Sequence, residues 1–172
     1  MAGPGARVAV PELRIGTGYD AHALADGPVL VLGGVELDHP QGLAGHSDGD
    51  VIAHALIDAL LGAAGLGDIG GLFPSGEERF KGISSLDLLR DAYAQVRQAG
   101  WRLVNADCIL VGEKPRIAPH RAEMRRRLAE AIGEGEVNVR ATTTDGLGFT
   151  GRGEGLAAKA VALLERSRGG TD

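Results

Sequence analysis

Cysteine is nearly missing from the sequence, aromatics are few, net positive charge is lacking and no apolar run is long. The one cysteine among 172 residues, Cys108, cannot form an intrachain disulfide. Its strand-like surroundings, Val104 to Val111, suit a small buried hydrophobe, and the pattern fits a reducing compartment. A net charge of −5 and a pI of about 5.5 leave no chain-wide basic field for nucleic acid or an anionic membrane. The basic run Arg121, Arg125, Arg126 and Arg127 falls in a helical pattern beside Glu123 and Glu130, which reads best as a solvated helix face. No apolar run approaches the ~20 residues that span a bilayer, and Met1 to Pro11 lacks the apolar centre of a signal peptide. The expectation is a cytoplasmic protein with a flexible tail at 1–13 ahead of one domain at 14–168. Neither a repeat nor a linker argues for a second domain.

What is abundant is glycine, 28 residues, which marks loops where backbone must approach something closely. Arg14–Tyr19 and Val29–Leu32 read as strands, with Asp20 and His22 in the loop between them. Val51–Ala64 is a long apolar helical pattern, with Ser47 or Asp48 placed to cap it. The segment Gly65–Gly82 is too long and too rich in breakers for mere connection. Ser84–Ala99 reads as a helix capped by Ser84 or Ser85, Leu103–Val111 as a strand and Pro119–Ile132 as a helix closed by Gly133. Val137–Thr143 reads as a β-branched strand. Gly153–Arg168 is expected to be an amphipathic helix with Leu156, Ala160, Leu163 and Leu164 on one face. This order contains a βαβ crossover and predicts an α/β sandwich with helices on one or both faces of the sheet.

Three constellations carry chemistry. In Asp20-Ala21-His22 a carboxylate and an imidazole stand two residues apart, on one side of an extended backbone. His54 lies in the strongest helix, four residues from both Asp50 and Asp58. Taken alone, His54 reads as a hydrogen-bonded core histidine. With Asp20 and His22 it completes a three-ligand set with an open fourth position, which suits catalytic zinc, and Asp50 or Asp58 could orient its imidazole. Non-haem iron sites use the same ligands, so the metal stays open. His46 and Ser47, at an apparent helix start, suit an anion or a plain cap. Thr142, Thr143, Thr144, Asp145 and Arg152 surround tight turns that could hold a diphosphate with a divalent cation, or simply connect two elements.

Together, Arg14-Ile-Gly-Thr-Gly-Tyr-Asp-Ala-His22, His46-Ser-Asp-Gly-Asp50 with His54 and Asp58, Gly67-Asp-Ile-Gly70 with Phe73-Pro74, and Ala141-Thr-Thr-Thr to Gly-Phe-Thr-Gly-Arg-Gly-Glu-Gly155 closely resemble the methylerythritol cyclodiphosphate synthase family. The resemblance runs from about Arg14 to Glu165. It implies a mixed sheet packed with helices, ferredoxin-like βαβ elements, and a bacterial cytoplasmic homotrimer with active sites between subunits. It implies zinc on Asp20, His22 and His54, and magnesium or manganese at the substrate diphosphate, held by Asp145. The reaction it implies is closure of 4-diphosphocytidyl-2-C-methyl-D-erythritol 2-phosphate to a cyclic diphosphate with release of CMP, in non-mevalonate isoprenoid synthesis.

His46 and Thr143 match positions credited with stabilising the transition state, and Asp20, His22, His46 and Ser47 also match substrate-binding positions. Asp68, Ile69 and Gly70, with Phe73, Pro74, Ser75, Gly76 and Glu77, match the segments that hold the methylerythritol. Gly112, Glu113, Lys114, Pro115, Arg116, Ile117 and Ala118 fall where a neighbouring subunit builds the cytidine pocket. Thr142, Thr143, Thr144, Asp145, Phe149 and Arg152 complete the substrate set, and an isoprenoid diphosphate could bind near Arg152 in a central cavity. The sequence departs from the family at Asp145, one methylene shorter than the expected glutamate, at Ala21, and at Glu113-Lys114 in the nucleotide loop. A zinc-dependent phosphohydrolase and a phosphate-ligand binding module remain as the alternatives.

Overall fold

The computed structural model describes residues 11–167; residues 1–10 of the expected tail, and Arg168, lie outside them. β1 (Leu13–Ala25) pairs antiparallel with β7 (Gly155–Arg166) from Leu13 opposite Glu165 to Ala23 opposite Gly155. β5 (Trp101–Val111) lies antiparallel on the far side of β7 and parallel to β6 (Glu136–Thr142). The short β4 (Gly42–Leu43) extends the other edge, giving a mixed five-stranded sheet in the order β4-β1-β7-β5-β6. β2 (Leu30–Leu32) and β3 (Val35–Leu37) form a separate hairpin. The helices α1 (Val51–Ala64), α3 (Ser85–Gln98) and α4 (Arg121–Ile132) cover one face of the sheet. The crossover β5-α4-β6 is the βαβ unit that the element order implied. No helix among the described residues is long and apolar enough to cross a membrane.

The expected C-terminal helix is instead the strand β7. Leu156, Ala158, Ala160, Ala162 and Leu164 are buried while Lys159 and Val161 face away, a period of two. Alanine is a strong helix former, so local propensity favoured a helix. Hydrogen-bonded neighbours on both sides and a helix directly above override it, and small residues suit a strand centre so tightly covered. β1 also runs six residues past the predicted end at Tyr19, so Asp20 and His22 stand on a strand and not in a loop. The strands β3 and β4 were not predicted.

Asp50, not Ser47 or Asp48, caps α1. Its carboxylate accepts from Ile52 and Ala53 N–H at 3.0 and 3.2 Å, and from Gly33 and Gly34 N–H at 2.9 and 2.6 Å. One side chain therefore ties the helix start to the β2-β3 turn. Gly65, with φ 75°, closes α1, Ser84 caps α3 as expected, and Gly133, with φ 85°, closes α4. Within the basic run, Arg126 pairs with Glu123 and Glu130 on the solvated face, whereas Arg127 also reaches back to the Gly34 carbonyl at 2.8 Å.

α1 lies unusually close to β1. A Cβ on Gly16 would stand 2.0 Å from the Ala59 carbonyl oxygen, and one on Gly18 would stand 1.9 Å from that of Ala55. Gly18→Ala is therefore expected to cost at least about 2 kcal/mol of stability, since backbone cannot yield as a side chain can. A urea-unfolding midpoint measures this. At Gly76 a Cβ meets nothing within 4 Å, and Gly76→Ala should stay within about 0.5 kcal/mol of the parent.

Candidate active site

Asp20 and His22 project from the helix-covered face of β1, two residues apart, and His54 comes down from α1 to meet them. Asp20 Oδ2 lies 2.9 Å from His22 Nε2 and 3.0 Å from His54 Nδ1, and the two ring nitrogens are 3.4 Å apart. Those separations are close to the roughly 3.3 Å edge of a tetrahedron whose donors sit about 2.0 Å from a central ion. The ligand atoms of these three residues lie within 4.8 Å of one another, the arrangement of a metal site.

The distal nitrogens fit the same use. His22 Nδ1 stands 2.5 Å from the Ala44 carbonyl oxygen, an acceptor only, so this nitrogen carries the proton and Nε2 is left to face the cluster. His54 Nε2 lies 2.9 Å from Ser85 Oγ and 3.1 Å from Ser47 Oγ. Neither carboxylate expected to orient His54 does so: Asp50 is engaged in capping, and Asp58 accepts from Ile69 N–H at 2.8 Å. Ser85 and the Ala44 carbonyl were missed. The available signal for Ser85 was a second serine beside Ser84, at a helix start that needs only one cap.

Burial works against ionisation of Asp20, yet hydrogen bonds from His22 and His54 outweigh it and hold the carboxyl well below its usual range. The same hydrogen bond, donated to Asp20, raises the His22 pKa above 6.5 against the opposing effect of burial. The cluster is thus strongly anion-stabilised at one end and proton-attracting at the other, a distribution that a divalent cation satisfies by displacing protons.

The cluster forms one wall of a pocket of about 430 Å³. Of the residues named from the sequence, His46, Ser47, Ile69, Gly70, Phe73, Pro74, Ser75 and Gly76 line it, joined by Phe80 and Leu88, which were not named. The long glycine-rich segment folds into α2 (Ile69–Leu72) and a 3-10 turn at Glu78–Phe80. Asp68 caps α2 by accepting from Gly71 N–H at 2.8 Å, and the Glu77 carbonyl meets His46 Nε2 at 3.2 Å. Because Asp50 takes the first N–H groups of α1, His46 and Ser47 do not form the helix-terminus anion site that their position suggested. They present side chains to the pocket instead.

The remaining expected residues gather elsewhere in the chain. Glu113, Lys114 and Arg152 border a second pocket with Leu24, His39, Gln41 and Thr150, and Glu113 accepts from Gly146 N–H at 3.3 Å. Gly112 begins the turn after β5, the Lys114–Pro115 bond is cis, and Arg116, Ile117 and Ala118 lead into a 3-10 turn. Thr142 ends β6, and Thr143 donates to Asp145 Oδ1 at 3.0 Å. Asp145 has φ 51°, and Thr144 donates to the Leu147 carbonyl at 2.6 Å. Phe149 lies in α5 (Gly148–Gly151), and Arg152 pairs with Glu154 at 2.7 Å. Within one chain, these groups do not line the pocket that holds Asp20, His22 and His54.

The fold and this cluster define a mixed α/β protein with a pocket whose Asp20, His22 and His54 are arranged so that they could hold a metal ion. Residues 13–165 match the YgbB family, and the chain belongs to that family. It is 56% identical over 154 residues to a 2-C-methyl-D-erythritol 2,4-cyclodiphosphate synthase of Moorella thermoacetica, which covers 88% of this chain and 94% of that protein. Among solved structures, the bifunctional IspDF of Campylobacter jejuni superposes with a TM-score of 0.87 at 41% identity, over 91% of this chain and 43% of that one. The IspF of Plasmodium falciparum in its CDP complex gives 0.80 at 29% identity, over 93% of this chain and all of that one.

His22 must lose its extra proton before Nε2 can bind a metal, and its pKa lies above the ordinary 6.5. Zinc affinity is therefore expected to fall as the pH drops from 8 to 6, approaching about tenfold per pH unit once His22 is protonated. Chelator competition at several pH values measures this. An affinity that does not change across this range would contradict the assignment of His22 as a ligand.

Proposed function

We propose that this chain closes 4-diphosphocytidyl-2-C-methyl-D-erythritol 2-phosphate to 2-C-methyl-D-erythritol 2,4-cyclodiphosphate and releases CMP, as a lyase of the non-mevalonate isoprenoid pathway. The observation that carries this reading is the Asp20, His22 and His54 cluster opening into the His46–Ser47 pocket, in a chain that shares 56% of 154 residues with a synthase of that name. The reading covers one domain over 14–168 and a cytoplasmic bacterial enzyme.

Such a reaction requires little covalent help from protein. It requires that two negatively charged phosphate groups be held together and the repulsion between them cancelled. When bound by Asp20, His22 and His54, a zinc ion supplies positive charge against that repulsion. His46 and Ser47 orient the phosphate at this wall by hydrogen bonds. Asp68 to Gly70 and Phe73 to Glu77 hold the methylerythritol, and the apolar Phe73 and Phe80 rings, packed edge to face at 5.4 Å, limit water at the reacting centre. Water kept out is a nucleophile excluded, which separates cyclisation from hydrolysis. Thr143 stabilises the transition state by donating to the diphosphate, and Asp145 holds the magnesium or manganese ion that accompanies it.

The cytidine-binding loop Gly112–Ala118 and the segment Thr142–Arg152 belong to the neighbouring subunit's half of the site in this reading. Support for a homotrimer comes from the uncovered face of the sheet, where Ile15 is 71% and Tyr19 is 58% exposed and Val104 and Val161 are also open to solvent. Large apolar side chains left open on one sheet face suit contact with a partner. Arg152, at the rim of the second pocket, is the residue assigned to an isoprenoid diphosphate in the central cavity.

Phosphorus NMR with the cytidylyl substrate, zinc and magnesium is expected to give the cyclic diphosphate and CMP. Asp20→Ala should lower the rate by about 100-fold or more, because a lost ligand removes several kcal/mol of charge stabilisation. Inorganic phosphate as the product would point to a hydrolase instead.

Ile15→Asp should convert a three-chain species into single chains in sedimentation and abolish turnover with it. A parent that sediments as a monomer and still turns over would rule out a site shared between subunits.

A further inference from the structure

We infer that Ser85 is a positioning residue for the metal centre: the chain Asp48, Ser85, His54 fixes His54 with its proton on Nε2 and its Nδ1 lone pair toward the ion. The inference rests on the metal reading proposed above. Ser85 is fully buried, one of four buried polar or charged residues among those described. It stands at the first position of α3, where Ser84 already caps by accepting from Leu86 N–H at 3.3 Å. The Ser85 hydroxyl is therefore free of capping duty.

Its partners settle the direction of each hydrogen bond. Asp48 is held face-on to Ser85, with Oδ2 accepting the Ser85 N–H at 2.9 Å and Oδ1 accepting the Ser85 hydroxyl. An ionised carboxylate only accepts, so the Ser85 proton points at Asp48. What remains toward His54 Nε2, at 2.9 Å, is a lone pair. Nε2 must then be the donor, so Nδ1, which shares its proton with Asp20 at 3.0 Å, is the nitrogen whose lone pair an ion in the cluster would take by displacing that proton. A carboxylate behind the hydroxyl also makes it a stronger acceptor.

Ser47 differs on each point. Its hydroxyl lies 3.1 Å from the same nitrogen, but it accepts a longer bond from Gly49 N–H at 3.3 Å and has no carboxylate partner. It lines the pocket, so its proton can go to Ser85 Oγ at 3.4 Å or to a phosphate. Two serines at one nitrogen thus divide the work: Ser85 holds the ligand and Ser47 faces the substrate. The segment carrying Ser85 is tied to the pocket wall by Gly82 N–H to the His46 carbonyl at 2.7 Å and Asp48 N–H to the Ile83 carbonyl at 3.1 Å.

Zinc affinity measured by chelator competition, with no substrate present, separates these roles. Ser85→Ala is expected to weaken zinc binding by about 10- to 100-fold, the usual effect of losing a ligand's outer partner. Ser47→Ala should stay within about threefold of the parent, and Ser85→Thr, which keeps the hydroxyl, should recover most of the loss. In the zinc-loaded parent, proton NMR should find the His54 Nε2–H protected from solvent exchange. Protection should persist in Ser47→Ala and vanish in Ser85→Ala. If the parent binds zinc but Ser85→Ala binds it as tightly, if Ser47→Ala carries the loss instead, or if the parent's Nε2–H exchanges freely, the role of Ser85 is wrong and the metal site stands. A parent that binds no zinc overturns both.

Discussion

The structure depends on how closely α1 lies on β1. Two residues of strand advance about 6.7 Å and four residues of helix about 6 Å, so the two repeats nearly match where the elements run side by side. Gly16 sits against Ala59 and Ala63, Gly18 against Ala55 and Ala59, and the next step along β1 brings Asp20 level with the turn of α1 that carries His54, at 3.0 Å. The alanines and glycines that appear featureless in the sequence thus set the distance across the metal pocket. A side chain at either glycine would lift the helix away from the strand and pull one ligand from the other two.

Charge is handled by the same economy of position. Asp50 is fully buried, and burial pushes its carboxyl up to about 6 against the opposing N–H groups of Gly34 and Gly33. Its hydrogen bonds to the start of α1 and to the β2-β3 turn make it the joint between the hairpin and the helix that carries His54. Asp48, two residues earlier, points the other way and backs Ser85. Asp20, a strand away, takes the ligand position. Three aspartates within one small region therefore do three different jobs, and burial with hydrogen-bond direction assigns them. Their spacing in the sequence cannot.

Much of this was legible beforehand. α1, α3, α4, β5 and β6 follow from periodicity, caps and closing glycines, and the Asp20, His22 and His54 set follows from residue type once an extended segment and a helix are supposed. What escaped was decided by contacts between distant parts. β7 has the composition of a helix and becomes a strand because β1 and β5 flank it. β1 continues through Asp20 and His22 because β7 offers partners as far as Ala23. His54 is oriented by Ser85, 31 residues away, and not by Asp50 or Asp58 on its own helix face. Helical spacing identifies neighbours along one surface, whereas a metal ligand's outer partner sits wherever the second layer of packing brings it.

The sheet's register explains why the chemistry is divided as it is. Ala23 stands opposite Gly155, and Val111 opposite Ala157, so the end of β1, the end of β5 and the start of β7 lie in one row. The loops assigned to the substrate, Gly112–Ala118, Thr142–Arg152 and His46–Ser47 beyond β4, leave the sheet at that end. Yet Asp20 and His22 point to the helix-covered side, while the β5 and β6 loops emerge across the width of β7 from them. In this chain those loops line a different pocket from that of Asp20, His22 and His54. In the proposed trimer a neighbour supplies those loops at the edge of the pocket while its sheet covers the face on which Ile15 and Tyr19 are exposed, so that assembly is a condition of the proposed catalysis.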